Sequence, residues 1–177
     1  MRRLQAGDVA RIGLMAALTA VGAFLRVPLP YVPFTLQIAF VCLGGLWLGP
    51  WRGAVCQVVY LSAGLIGFPI FAKGGGPHYI LEPTFGYLAG FVPGAFVTGY
   101  VARGSTSLPR LVAAVFAGML LVYCAGIAHL YLILSHAAGA DITLWAAARV
   151  GLAPLPKDLV LGLLAACLGR RLIRMGV

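Results

Sequence analysis

Acidic residues are rare in this chain: Asp and Glu together number four among 177 residues, and all charged residues make up 10%. A soluble domain has about a quarter of its residues charged, so this composition excludes an ordinary soluble protein. The sequence also lacks HExxH, GxSxG and Walker A motifs, and its four cysteines show no CxxC spacing. These absences argue against a metalloprotease, a serine hydrolase and an ATPase. We therefore predict no enzymatic activity, no cofactor and no metal site.

Basic residues outnumber acidic ones, which gives a formal net charge of +9. A nucleic-acid-binding protein would concentrate its basic residues in a stripe with interleaved aromatic residues. Here they fall in short clusters between apolar runs, as they do in the loops of a membrane protein. The charge therefore indicates membrane topology, and we predict no nucleic-acid partner.

Long uncharged apolar runs dominate the chain. Hydrophobic residues make up 62% of it, and the mean hydropathy is +0.99. A membrane-spanning helix needs about 20 mostly apolar residues to cross about 30 Å of hydrocarbon. We predict an all-α, polytopic integral membrane protein with a single membrane domain over residues 1–177. Its six transmembrane helices are predicted at about 8–26, 34–48, 51–71, 83–103, 109–135 and 154–174.

Six helices would place both termini on one side of the membrane. Nine arginines then share that side, and four basic residues are left for the other: Arg26, Lys73, Arg149 and Lys157. By the positive-inside rule the termini are predicted to be cytoplasmic. The loops that precede helices 2, 4 and 6 then meet at the outer face.

The loop between helices 3 and 4 is polar and rich in glycine. Residues 73–87 read KGGGPHYILEPTFGY and include Glu82, one of the few carboxylates. Backbone without helical hydrogen bonds is tolerated near a membrane only where protein or water covers it. We interpret this glycine loop as part of a binding site.

Asp158 lies unusually deep for a charged residue. The uninterrupted apolar run of helix 6, residues 159–169, is about half of a membrane span. Counting back about 20 residues from Arg170 places Asp158 about 10 Å below the outer surface. A charge at that depth must face the protein interior or a water-filled cavity.

Polar and aromatic residues at the outer ends of the helices define a candidate pocket. They are Phe34, Thr35, Gln37, Tyr79, Glu82, Tyr87, Lys157 and Asp158. A small-molecule site needs such a mostly apolar concavity with a few fixed polar groups. The alternative is that Glu82, Lys157 and Asp158 only neutralise one another at the membrane surface. Composition alone leaves both interpretations open.

Helix 1 is rich in small residues and is predicted to have Asp8 as its N-cap. Ala16 and Ala20 lie four residues apart on one face, so another helix could approach closely there. The spacing alone does not separate docking of a partner subunit from packing within the protein.

Four sequence blocks carry a resemblance to a known family. They are VPLPYVPFTLQ at residues 27–37, followed by GGLWLGPWRGA, LIGFPIFAKGGG and PTFGYLAGF. The first is similar to the PxPxVPFTLQ motif of the BioY family, the biotin-binding S components of energy-coupling factor transporters, and the others follow in that family's order and spacing. The resemblance implies a six-helix bundle in the inner membrane of a prokaryotic cell, which captures biotin at its outer face.

The resemblance also implies partners, namely a transmembrane coupling subunit and two cytoplasmic ATPase subunits that energise uptake. It further implies that Ala16 and Ala20 form the docking surface for the coupling subunit. A self-sufficient secondary vitamin carrier is the alternative from another class, and an intramembrane enzyme is a third. Biotin uptake by the protein alone, driven by an ion gradient, would favour the carrier.

The family's pattern is altered at the start of helix 6. The family usually has Pro-Gly-Asp there, with a Lys three residues after the Asp. This chain reads LPKDLVLG, so Leu161 stands at the later position and Lys157 precedes Asp158. Asp158 matches the Asp of the family's pattern directly. Whether Lys157 replaces the family's Lys is open.

The resemblance implies roles for the site residues. Asp158 would accept charge-assisted hydrogen bonds from the ureido ring of biotin. Tyr79, Tyr87 and Phe34 would supply aromatic walls for the sulfur ring and the valeryl chain. A cation such as Lys73 would lie close to the biotin carboxylate.

Overall fold

The structure is a computed structural model that describes residues 5–28, 31–137 and 142–175. The described chain is almost entirely helical, with one short antiparallel pair of strands. Its elements are α1 (Ala6–Phe24), β1 (Arg26–Val27), β2 (Phe34–Thr35), α2 (Gln37–Ile66), a 3-10 turn (Pro77–Leu81), α3 (Phe85–Ala102), α4 (Leu108–Leu132), a π-helical turn (Ile133–Ala137), α5 (Leu144–Gly151) and α6 (Leu155–Met175).

Helix α2 is a tight hairpin and not one straight rod. Gly49 has non-helical dihedral angles (φ 79°, ψ −179°), and Pro50 begins the second limb. The Gln37 amide nitrogen donates to the Tyr60 hydroxyl at 2.8 Å. In a continuous helix these residues would lie about 34 Å apart, so the limbs, residues 37–48 and 50–66, run antiparallel.

The two limbs correspond to predicted helices 2 and 3, with one boundary corrected. The second limb ends at Ile66, about five residues before the predicted end, because Gly67 takes a positive φ of 129° and terminates it. Residues 67–72 then lead from the limb into the glycine loop. A hydrogen bond of 2.7 Å from the Gly76 amide to the Gly64 carbonyl secures this loop to the limb.

The start of α1 differs from the prediction that Asp8 is its N-cap. Gln5 is the N-cap, and Asp8 is the third helical residue of a capping box. The Asp8 carboxylate accepts from the Gln5 amide at 3.2 Å and pairs with the Arg52 guanidinium at 2.7 Å. This ion pair ties the start of α1 to the hairpin turn of α2.

Helix α3 lies between α2 and α4, and α6 packs against both of these neighbours. The glycines of α3 allow its backbone to approach the backbones of α2 and α4 closely. A Cβ atom at Gly90 would lie 2.9 Å from the Cα of Val122 in α4, and one at Gly99 would lie 2.5 Å from the Pro50 nitrogen. Small residues at helix contacts are typical of bundles in membranes, where close van der Waals packing drives association.

Membrane-length helices make up most of the described part of the chain. Three single helices are long and apolar enough to cross a membrane, namely Ala6–Phe24, Phe85–Ala102 and Leu108–His136, and the α2 hairpin, Gln37–Ile66, passes the same test of length and composition as a whole. α5 and α6, bent by 49° at a short break, pass the same test as a pair. Large apolar side chains cover the outside, among them Leu120 and Trp145, which are 64% and 67% exposed. The protein is therefore a multi-pass membrane protein.

The cysteines divide into two groups. Cys42 and Cys56 are buried, whereas Cys124 and Cys167 are exposed on the apolar outer surface. All four lie inside apolar runs of the sequence, which predicts small core residues, and this prediction is wrong for the second pair. An apolar run shows that a helix is in the membrane, but not which of its faces meets lipid.

Candidate binding site

A cavity opens at the end of the bundle where the glycine loop, the paired strands and the start of α6 meet. The empty space in it is about 520 Å³ when its open mouth is included. Apolar side chains such as Ile38, Leu88, Phe91 and Val122 form much of its wall. Six of the predicted site residues also line it: Thr35, Gln37, Tyr79, Tyr87, Lys157 and Asp158.

Asp158 is held in a fixed orientation in this cavity. It is 6% exposed and lies in the first turn of α6. The Tyr123 hydroxyl donates to its Oδ2 atom at 2.6 Å, and the Lys157 ammonium donates to its Oδ1 atom. Because both oxygens are hydrogen-bonded, the carboxylate is oriented before any ligand arrives, and its remaining lone pairs can still accept.

Lys157 joins α6 to the paired strands. Besides Asp158, its ammonium contacts the Thr35 carbonyl oxygen at 2.5 Å and lies 5.6 Å from the centre of the Phe34 ring. The strands β1 and β2 are thereby fastened across the mouth of the cavity. Although its position in the sequence is displaced from that of the family's lysine, Lys157 does reach the aspartate.

Tyr79 forms the wall on the glycine-loop side. It is 1% exposed, and burial raises the pKa of its phenol, so the hydroxyl remains protonated at neutral pH. Its ring packs on Phe71, with 4.6 Å between ring centres, and Phe71 packs in turn on Tyr60 at 5.4 Å. The Tyr60 hydroxyl donates to the Ile70 carbonyl at 3.0 Å, which fixes the loop backbone behind this aromatic stack.

Tyr87 connects α3 to the last two helices. Its hydroxyl donates to the Gly151 carbonyl at 2.8 Å, and its ring meets Tyr123 edge to face at 5.7 Å. Through Tyr123, this ring supports the group that orients Asp158. Tyr87 therefore both lines the cavity and supports Tyr123.

Two predicted site residues lie outside the cavity wall. Glu82 forms an ion pair of 2.9 Å with Lys73, on the rim, and Phe34 lies behind Lys157. The carboxylates therefore do not share one network. Glu82 is neutralised by Lys73, whereas Asp158 pairs with Lys157 inside the cavity.

Sequence reasoning missed Tyr123 and Thr84, which also line the cavity. Tyr123 stands in the middle of a long apolar run, and a buried tyrosine usually finds a partner for its hydroxyl. That rule could have singled it out, but not its partner. Thr84 was part of the PTFGYLAGF block and gave no separate signal.

The predicted docking surface on α1 needs a correction at Ala16. Ala16 is 8% exposed and belongs to the core, in line with the buried Ile12, Met15 and Thr19. Ala20 is half-buried, and Ala17 is exposed. Small residues occur on several faces of this helix, so their spacing could not identify the outward one.

A multi-pass helical bundle with a cavity of this kind defines a class of membrane proteins that hold a small molecule at one end of the bundle. The chain belongs to the BioY family, whose sequence pattern matches residues 1–176.

Individual relatives agree with this assignment. A probable biotin transporter BioY of Lysinibacillus sphaericus is 47% identical over 126 residues, which are 70% of this chain and 64% of that relative. The match thus spans a little under two thirds of that relative's length. The biotin transporter BioY of Rhodobacter capsulatus is 37% identical over 163 residues, 86% of each chain.

The fold is similar to a solved structure, the S-component for biotin from an ECF-type ABC transporter. The TM-score is 0.85, with 97% of this chain and 95% of that chain covered. At 22% sequence identity this likeness shows the fold alone.

Proposed function

We propose that this protein is the biotin-binding subunit of a vitamin uptake system in the inner membrane of a prokaryotic cell. The observation that carries the proposal is the oriented Asp158 carboxylate within an apolar cavity, in a chain of the BioY family. A cyclic urea presents two diverging N–H donors, and a carboxylate of fixed orientation is a strong acceptor for one of them. The apolar wall suits the fused sulfur ring and the valeryl chain.

The other site residues take supporting roles in this proposal. Lys157 and Thr35 hold the strands over the ligand, and Phe34 backs the ammonium of Lys157. Gln37 is fixed by its bond to Tyr60 and presents the rest of its amide at the first turn of α2. Glu82 acts at the rim, where it holds the Lys73 side chain near the place expected for the biotin carboxylate.

Calorimetric titration of the purified protein with biotin tests this proposal. We expect one biotin to bind per chain, with desthiobiotin competing because it keeps the urea ring. An absence of binding by the folded protein would refute the assignment of biotin. The carrier alternative predicts gradient-driven uptake by the protein alone in liposomes, whereas our proposal predicts binding without sustained uptake there.

Energised transport requires partners in this proposal, namely a transmembrane coupling subunit and two cytoplasmic ATPase subunits. The sequence has no Walker A motif with which to hydrolyse ATP itself. We take the whole chain as a single membrane domain, because residues from β2, the glycine loop and helices α2, α3, α4 and α6 line one cavity.

We further propose six membrane crossings with both termini cytoplasmic. The hairpin in α2 supports this count, because its two antiparallel limbs would give two crossings, and the bent pair of α5 and α6 would give the last one. The basic residues on the side of the termini outnumber those on the cavity side by nine to four.

The topology can be checked by cysteine labelling in a cysteine-free background. His78→Cys, on the exposed glycine loop, should react with a membrane-impermeant maleimide added to intact cells. Thr106→Cys, on the exposed connector between α3 and α4, should react only after permeabilisation. The opposite pattern would reverse the proposed orientation.

The docking surface for the coupling subunit is proposed on α1, at Ala20 and the neighbouring exposed Ala17. Replacing Ala17 with Leu should leave biotin affinity unchanged and reduce coupled uptake several-fold, because a bulky side chain holds helices apart. Ala16→Leu is the matched internal variant. Since Ala16 is buried, it should lower thermal stability as well. Normal coupled uptake by Ala17→Leu would exclude this face.

A further inference from the structure

Two buried hydroxyl groups in the cavity have no hydrogen-bond partner among the residues that the structure describes. Five buried side-chain polar atoms of the described residues are unpaired, and only two of them lie in residues that line the cavity. Those two are Tyr79 OH and Thr84 Oγ1, and the others are Gln57 Oε1, Thr98 Oγ1 and His129 Nε2. Because folded proteins rarely leave a buried hydroxyl unpaired, such a pair in one cavity points to a partner supplied by the ligand.

The position of Thr84 in the backbone strengthens this interpretation. Thr84 is the N-cap of α3, a position where a threonine hydroxyl normally accepts from an amide of the first helical turn. Here its side chain makes no capping bond. Thr84 is 5% exposed, so water does not replace that bond at the surface. Its hydroxyl is thus left for the cavity.

Tyr79 is held so that its hydroxyl cannot easily turn elsewhere. Phe71 packs against its ring, and Phe71 is itself confined by Gly64, where any Cβ atom would overlap the Phe71 ring. The Thr84 hydroxyl and the backbone amide of Lys73 lie close enough to the Tyr79 oxygen to lower the pKa of its phenol, but neither makes a hydrogen bond of normal geometry with it. Hydroxyls and an amide N–H can all donate, so together they suit an acceptor atom of the ligand.

The electrostatics of this cluster favour a neutral acceptor over a carboxylate. The Lys73 ammonium is neutralised by Glu82 at 2.9 Å, and Arg26 is exposed, so water screens its charge. A buried anion would need an unneutralised cation close by. A carbonyl oxygen needs only the donors that are present.

Lys157 is the charged donor in the cavity, but two of its three N–H groups are already used. Its ammonium donates to the Asp158 carboxylate and the Thr35 carbonyl, and it lies over the Phe34 ring. The carbonyl oxygen of a cyclic urea that donates an N–H group to Asp158 needs donors of its own. Among the described residues that line the cavity, the two hydroxyls are the buried groups without a partner.

We propose that Tyr79 and Thr84 form a second polar subsite, whose hydroxyls donate to the carbonyl oxygen of the cyclic urea. This inference rests on the proposed biotin binding and adds the residues that recognise the other side of the ring. Neutral donors here and a carboxylate opposite would together select a urea over rings that lack either the N–H groups or the carbonyl.

The test uses Tyr79→Phe and Thr84→Val, each of which removes a hydroxyl and nearly preserves shape. We expect each to weaken biotin binding about fivefold to tenfold in calorimetric titration of the full-length protein. Tyr100→Phe and Thr106→Val are the matched controls, because both residues lie outside the cavity. Those controls should bind biotin as the parent does.

Analogues identify the ligand atom. With biotin methyl ester, which lacks the free carboxylate, both cavity variants should show the same loss as with biotin. With 2-thiobiotin, whose sulfur is a poor acceptor, the loss should shrink to about twofold or less. A loss that disappears with the ester would place the carboxylate at these hydroxyls and overturn the proposal.

The outcomes separate this inference from the proposed function. If the parent protein binds no biotin, the proposed function fails. If the parent binds and either folded variant binds biotin with parental affinity, that hydroxyl does not contact the ligand and this inference fails. A parent protein that binds 2-thiobiotin as tightly as biotin would also contradict it. That last comparison requires no variant to fold.

Discussion

Replacing Asp158 with Asn is expected to weaken biotin binding by at least about tenfold. Both neighbours of the carboxylate, the Tyr123 hydroxyl and the Lys157 ammonium, are donors. An amide can accept on only one side, so its NH₂ group would face a donor or the urea N–H groups. Calorimetric titration of the purified variant measures the loss, and a thermal melt reports whether it is folded.

The control for this substitution is Asp8→Asn, the same change from carboxylate to amide at a residue outside the cavity wall. It should alter biotin affinity less than about threefold, because Asp8 contacts the Gln5 amide and the Arg52 guanidinium and no cavity residue. Desthiobiotin should show the same loss as biotin with Asp158→Asn, since it keeps the urea ring. Parental affinity in a well-folded Asp158→Asn protein would make this aspartate structural and leave the site misplaced.

The buried position of Asp158 could be predicted from the sequence because acidic residues are so rare in it. A single carboxylate inside a membrane-length helix has few stable environments, and all of them are interior. The contact between Lys157 and Asp158 could not be predicted in the same way. Its position beside Asp158 along the chain suggested another face of the helix, yet the flexible four-carbon side chain brings the ammonium back to the carboxylate.

Tyr123 and Thr84 show where the sequence is silent. In a soluble helix polar residues mark the outer face, but in a membrane helix both faces are apolar and this contrast disappears. Whether a tyrosine in such a run meets lipid or a cavity depends on the packing of neighbouring helices. Thr84 was hidden for another reason, because at a helix start the default role of threonine is capping.

Ala16 shows that the buried face of α1 could not be told from its exposed face by sequence either. Small residues allow close packing on whichever face they lie, and this helix has them on both its buried and its exposed sides. The hairpin in α2, in contrast, was predictable from Gly49-Pro50. Glycine tolerates the positive φ of the turn, and proline suits the first position of the limb that follows.

The close packing behind that hairpin leads to a second large expected effect. Replacing Gly99 with Ala should lower the melting temperature of the protein in detergent by several degrees. The new Cβ atom would lie 2.5 Å from the Pro50 nitrogen, 2.6 Å from the Gly49 carbonyl carbon and 2.7 Å from the Gly45 carbonyl oxygen. All three are backbone atoms, so no side-chain rotation can relieve the overlap and α3 has to move away from the hairpin.

Gly13→Ala is the matched control for this prediction, because Gly13 is also a helical glycine, but apart from its own helix backbone no described residue has a heavy atom within 4 Å of its Cβ position. Alanine favours helix over glycine by about 1 kcal/mol, so this variant should melt at or slightly above the parental temperature. Biotin should still bind the folded fraction of Gly99→Ala, because Gly99 does not line the cavity. A Gly99→Ala protein as stable as the parent would show that α3 and the α2 hairpin can separate at little cost. The close contact of their backbones would then not be what holds the bundle together beneath the binding site.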